Sequence, residues 1–207
     1  MTDQLTIYNS ALRLLGERKI TLVEQREPRY LLDDVWDNNG LKRCLEMGSW
    51  NFAIKEVALE YDSSIEPEFG FTRAFEKPSD WVRTAGVYGS GEMKIPLIYY
   101  KDCGGFWSSD LDTLYLRYVS DDESYGMDLS LWPESFTALV EHFFAKEICF
   151  SLTKNANMRE ELRKEFKKRL IEAKSKDAHG EAPAFRPPSS WITSRLGARD
   201  ENVNEIP

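Results

Sequence analysis

At 207 residues and 42% hydrophobic content, the chain is long enough for one substantial core or for two small, closely joined units. No apolar run reaches the roughly 20 residues that span a bilayer, and a formal charge of −8 argues against a protein whose main task is gripping phosphates. Cys44, Cys103 and Cys149 are odd in number and lack metal-type spacing, and residues 1–4 carry no export-signal pattern, so reduced thiols in a cytosolic setting are expected.

Residues 3–15 read as an amphipathic helix with Leu5, Tyr8, Leu12 and Leu15 on one stripe, stopped by Gly16 as a left-handed cap. Residues 17–27 are polar and aperiodic, as a loop would be. A second helix is expected over 28–47, with Pro28 in its first turn and Leu31, Leu32, Val35, Trp36, Leu41, Cys44 and Leu45 on its apolar side. Asn38, Asn39 and Gly40 weaken its middle, where glycine costs about 1 kcal/mol relative to alanine and a kink or a break is possible.

At Gly48 the period changes from 3.6 to 2. Residues 52–61 alternate, with Val57, Leu59 and Tyr61 on one face and Glu56 and Glu60 on the other, as in a half-buried strand. Further strands are expected at 71–76, 81–88, 95–101 and 113–119. Turn residues separate them: Pro78-Ser79-Asp80, Gly89 to Glu92, and Cys103-Gly104-Gly105.

The helical period returns over 132–152, which is apolar almost all round and must therefore be covered by more than one neighbour. Its polar exceptions, Glu141, His142, Lys146 and Glu147, mark a seam where a neighbour can pack. A last helix is expected over 157–178, with Met158, Leu162, Phe166 and Leu170 recurring every four residues. Residues 157–177 carry eight basic side chains against five acidic ones, a net of +3, leaving −11 on the remainder. The plain reading is a solvated face laced by Glu160–Lys164, Glu165–Arg169 and Glu172–Lys176 pairs.

Residues 180–207 are punctuated by Pro183, Pro187, Pro188 and Pro207, yet carry Phe185, Trp191, Ile192 and Leu196. Apolar anchors in a segment without its own core indicate an arm that docks on its own domain or on a partner subunit. Runs of helices, then strands, then helices give an α+β class. The expected architecture is a four-helix bundle with an antiparallel β-sheet or small β-barrel inserted between helices 2 and 3. Residues 1–49 and 130–179 form the bundle, 50–129 the insertion and 180–207 an extended arm.

Catalytic chemistry is thin. Ser90 sits between two glycines in a turn, not in a nucleophile elbow. His142 and His179 have no partner at metal-ligand spacing. The carboxylates Asp110 and Asp112, and Asp121, Asp122, Glu123 and Asp128, lack the regular ligand pattern of a calcium loop and read as solvated acidic loops. Gly104, Gly105 and Phe106 form no phosphate cradle. No catalytic residue, metal or cofactor is expected.

Five stretches share an order with a known family: residues 11–20 (ALRLLGERKI), 49–53 (SWNFA), 78–87 (PSDWVRTAGV), 116–119 (LRYV) and 131–153 (LWPESFTALVEHFFAKEICFSLT). Together they resemble the tail tubular protein A family of tailed bacteriophages over residues 5–178. The chain departs from the family at Gly48 and Ser49, where members often carry a histidine-proline pair. The resemblance implies a non-enzymatic head-to-tail adaptor in the virion, present in the host cytoplasm during assembly. Such a subunit forms a ring, usually of twelve copies, between the portal protein and the tail nozzle protein, with DNA passing through its lumen. An acidic lumen would let DNA slide, where a basic one would hold it. In this setting Phe185, Arg186, Trp191, Arg195 and Leu196 are the expected partner-interface residues, since Trp and Arg most often dominate interface energy. Two rival classes are a virion-associated hydrolase using the acidic clusters and a DNA-binding module using residues 157–177.

Overall fold

The computed structural model describes residues 3–180 apart from Leu22 and Gln25. Helix α1 (Gln4–Leu14) is capped by Asp3, whose carboxylate accepts from the Thr6 amide at 2.6 Å, and is followed by Gly16 at φ +72°. Ile7, Tyr8, Ala11 and Leu12 are its buried stripe. The loop that follows is pinned back on α1 by Asn9, whose amide donates to the Ile20 carbonyl and accepts from the Ile20 amide. Ile20 is thereby buried in the core.

The expected second helix is two. Helices α2 (Glu27–Asp37) and α3 (Gly40–Glu46) are separated by Asn39 in the left-handed conformation at φ 60°. Gly40 packs so closely on α2 that a Cβ there would lie 2.4 Å from the Val35 carbonyl oxygen. A single 3-10 turn (Asn51–Ala53) leads into β1 (Ile54–Glu60), then β2 (Arg73–Glu76), β3 (Trp81–Tyr88), β4 (Lys101–Asp102), β5 (Phe106–Ser109) and β6 (Thr113–Ser120). Helices α4 (Glu134–Thr153) and α5 (Ala156–His179) complete the described chain as an antiparallel hairpin. Pro133 caps α4 from outside rather than occupying its first turn, and Asn155 caps α5 by accepting from the Asn157 and Met158 amides.

These elements keep the α+β class and correct the expected architecture on two counts. The described residues form five helices, and they are not a four-helix bundle. Helices α1, α2, α3 and α5 each make their most extensive helix contact with α4, so α4 is a hub and the others surround it. The strands form neither one sheet nor a barrel. They make two open antiparallel sheets of three strands, β1-β6-β3 and β2-β5-β4. The outer strands of each sheet do not pair with each other, so neither closes.

The strand boundaries also moved. Residues 95–100 are not a strand but a loop held by the Tyr88–Pro96 bridge and by the Leu97 amide donating to the Val87 carbonyl at 2.7 Å. Pro96 lacks the amide a strand would need there. Residues 106–109, read as following a turn, form β5, the middle strand of the second sheet.

Two cores result. The larger gathers α1 to α5 around Leu139, Val140, Phe144 and Ile148, and takes in Val82 of β3 and Val119 of β6. The smaller lies between the sheets, with Phe75 and Trp107 from one meeting Val87, Leu114 and Leu116 from the other. The polar seam of α4 is where α5 packs: Phe143 meets Phe166 at 5.9 Å, and the Lys146 ammonium lies 4.6 Å from both ring centroids. Among the described residues no helix is long and apolar enough to cross a membrane.

Replacing Gly40 by alanine forces a Cβ into the Val35 backbone, which cannot move without shifting α2. The expected outcome is a loss of about 1–3 kcal/mol, within the range of overpacking, read as a lower urea midpoint; an unchanged midpoint would show that α2 and α3 are not locked together.

Candidate functional site

The residues singled out for catalysis do not converge. Ser90 is an exposed turn residue whose carbonyl accepts from the Met93 amide. His142 is buried, with Nδ1 2.7 Å from the Ala138 carbonyl one turn back, and His179 sits likewise against the Ser175 carbonyl at the end of α5. Asp110 accepts from the Thr72 amide and hydroxyl, and Asp112 pairs with Arg73. Among the described residues no three His, Cys, Asp or Glu side chains are arranged to hold a metal ion. Phe185, Arg186, Trp191, Arg195 and Leu196 lie outside the described residues.

What the fold does assemble is a polar staple across the first sheet. Asp80, in the turn before β3, accepts from the Lys55 ammonium at 2.8 Å, the Tyr118 hydroxyl at 3.0 Å and the Ser120 hydroxyl at 2.6 Å. Its own carbonyl accepts from the Asp121 amide. Burial pushes the Asp80 carboxyl up, but the hydrogen bonds from Lys55, Ser120 and Tyr118 outweigh it and hold the group below the usual carboxylate value. Burial and the same carboxylate push the Tyr118 phenol up, while the bond to Asp80 raises Lys55. One side chain thus ties β1, β3 and β6 together at their helical end.

A second polar knot joins the two sheets. The Lys77 side chain, only 7% exposed, places its ammonium 2.5 Å from Asp102 and 3.8 Å from the Trp81 ring centroid. Asp102 also accepts from the Thr84 hydroxyl and the Trp107 indole. The lysine is thus paired and faced by an aromatic ring at once, which is what a nearly buried cation requires.

The acidic loop after β6 borders an open groove of about 890 Å³. Trp36, Leu41, Met127 and Leu129 supply its apolar lining, and Asp3, Asp121, Glu123 and Asp128 its carboxylates. Lys42 is the one lysine or arginine among the lining residues, and its ammonium is 2.7 Å from Asp121. The other carboxylates leave the groove strongly negative. Hydrogen bonds from Thr6 and Ser130 hold Asp3 and Asp128 below the usual carboxylate range, so both stay ionised.

Two further surfaces stand out. At the second sheet, Tyr99 packs on Phe71 with ring centroids 4.9 Å apart and donates to the Gly70 carbonyl, joining the 69–71 and 95–100 loops. These loops leave Phe69, Ile95 and Ile98 almost wholly exposed, Ile98 at 94%. Along α5 four of the eight lysines and arginines pair with acids of the same helix, at Arg163–Glu160, Lys168–Glu165, Arg169–Glu172 and Lys176–Glu172. Of the three expected four-residue pairs, Glu172–Lys176 is present, while Glu165 takes Lys168 three residues on. No protein-family model matches the chain, and no curated protein matches it.

The Asp80 staple carries a pH dependence of defined sign. A carboxyl whose folded pKa is depressed stabilises fully above the unfolded value and loses that contribution as pH falls through the folded value. Asp80→Asn is expected to cost about 1–3 kcal/mol near neutrality, because the Lys55 ammonium loses its charged partner. The difference from wild type is expected to shrink in acid, compared by denaturant midpoints in the two pH regimes.

Proposed function

We propose that this protein is a structural head-to-tail adaptor of a tailed bacteriophage. It forms a ring between the portal protein and the tail nozzle protein, with DNA passing through the lumen without sequence-specific contact. Its partners are these two proteins and further copies of itself; it is not an enzyme, and it works in the virion after assembling in the host cytoplasm. The number of copies carried over from the family resemblance is twelve.

The observation that carries this reading is that the stretches bearing the resemblance meet in one buried framework. Trp50 and Phe52 from the 49–53 stretch pack on Phe136 from the 131–153 stretch, at centroid distances of 4.9 and 4.8 Å, and Trp132 closes on the same ring at 4.9 Å. Asp80 from the 78–87 stretch is held by Tyr118 from the 116–119 stretch. Ile20, which ends the 11–20 stretch, is pinned against α1. Ala11, Leu12 and Leu15 of the 11–20 stretch, Trp50, Val82, Val119 and Phe136 all belong to one buried core, so the five stretches share a framework.

The surfaces suit an assembly subunit. Exposed Phe69, Ile95 and Ile98 at one end of the sheets offer an apolar contact of the kind that marks interaction sites. The net charge of −11 outside residues 157–177 suits a wall along which DNA slides.

Negative-stain microscopy of the full-length protein with a candidate portal tests the reading. Rings seated on the portal are the expected result, and a portal that stays bare at saturating protein would falsify it. Ile98→Asp is expected to leave the thermal midpoint within about 1 °C of wild type, since an exposed side chain changes stability little, and to weaken attachment of the nozzle or of a neighbouring copy in a pull-down.

A further inference from the structure

We propose that the acidic groove between α1, α2, α3 and the 121–130 loop receives the outer face of α5 from a second copy of the chain, so that copies join head to tail. The first support is the make-up of that face. Ile171 is 69% exposed in the middle of a charged helix. Its neighbours on the helix surface, three and four residues to either side, are Lys167, Lys168, Lys174 and Ser175: three cations, a hydroxyl and no acid. An apolar side chain ringed by cations has its counterpart in the groove, where carboxylates border Trp36, Leu41, Met127 and Leu129.

Charge is the second support. Of the α5 cations without an acid partner on the helix, Arg159 lies over the Phe150 ring. Lys164, Lys167 and Lys174 are exposed and have no ion pair among the described residues. In the groove four carboxylates accompany one lysine, and Asp121 is the carboxylate paired with it. Each surface thus carries uncompensated charge of the sign opposite to the other's, which is the complementarity that orients one protein on another.

Placement is the third support. Trp36 in the groove wall packs on Phe144 of α4, while Phe166 of α5 packs on Phe143, both at 5.9 Å. The groove and the α5 face therefore lie against different flanks of α4. Buried Leu162, Phe166 and Ala173 fix α5 in place, so its outer face cannot turn into the groove of its own chain, and a second copy has to supply it. Because the two surfaces differ, each copy offers one and fills the other. Such contacts repeat from copy to copy and close into a ring when the rotation between copies divides a full turn. In this the inference rests on the adaptor reading, for which it supplies the contact between neighbours in the ring.

Sedimentation velocity of the full-length protein at low salt tests it. Wild type is expected to associate as concentration rises and to dissociate at high salt, where the charge attraction is screened. Glu123→Lys in the groove, Lys167→Glu/Lys174→Glu on α5 and Ile171→Asp are each expected to weaken association about tenfold or more. All of these residues are exposed, so thermal midpoints stay near that of wild type. An equimolar mixture of the groove variant and the lysine variant is expected to form a pair and nothing larger, because each keeps one intact surface. Wild type that stays monomeric at low salt, variants that associate as wild type does, or a mixture that forms no pair overturns the proposal. So does duplex DNA that separates wild-type copies by binding these lysines, since it gives the face to nucleic acid. The portal experiment tells the two readings apart: variants that still form rings on the portal remove this contact and keep the adaptor, and a bare portal with wild-type copies still joining does the reverse.

Discussion

The structure depends on the burial of α4. Phe136, Leu139, Val140, Phe143, Phe144, Ala145, Ile148 and Cys149 are buried on faces that point in several directions. A helix of this kind has no stable place at a surface, since each buried Leu or Phe side chain left in water forfeits about 1.5–3 kcal/mol. Every other helix is recruited to cover part of it. Tyr8, Trp36 and Phe144 meet on one side, with centroids about 6 Å apart, and Phe166 of α5 covers the other. The hub arrangement follows from sequence: one helix that is apolar all round, and several that are apolar on one stripe only.

The first sheet is attached to this hub by apolar contacts and braced beside them by polar ones. Val82 and Val119 enter the helical core, and Asp80 satisfies Lys55, Tyr118 and Ser120 immediately beside them. Apolar packing alone does not fix register, because it has no direction. A carboxylate with three donors converging on it accepts one arrangement of β1, β3 and β6 and penalises the others. The buried serines of β5 act similarly in the second sheet, where Ser108 accepts from the Glu68 amide.

Much of this was legible in the sequence, and the parts that were not share a physical cause. The helices α1, α4 and α5 show in the 3.6 period, and the break near Asn39 and Gly40 in their conformational preferences. Strand β5 is four residues long with serines at buried positions, so neither its pattern nor its hydrophobicity distinguishes it from a loop. The loop at 95–100 has strand-like residues, but Pro96 and the tertiary setting exclude pairing. The groove was invisible because it is made from residues 3–4, 36–42 and 121–130, which only the fold brings together. The burial of Lys77 between Asp102 and Trp81 was equally hidden, since a lysine in sequence reads as exposed.

The pairing of β1 with β6 also has a mechanical meaning. The chain passes into the sheets at Ile54 and out of them at Val119, and these two residues are direct partners across the ladder, which runs on to Glu60 opposite Thr113. A pull that drags the far end of the sheets away from the helices is shared by the two strand backbones, and the rungs between them carry little of it. A pull that spreads the two strands at their helical end opens the rungs one after another, beginning at Ile54 and Val119. Val119 is clamped in the helical core and its neighbour Ser120 is tied to Asp80, so the first tooth of the zipper is the one held hardest.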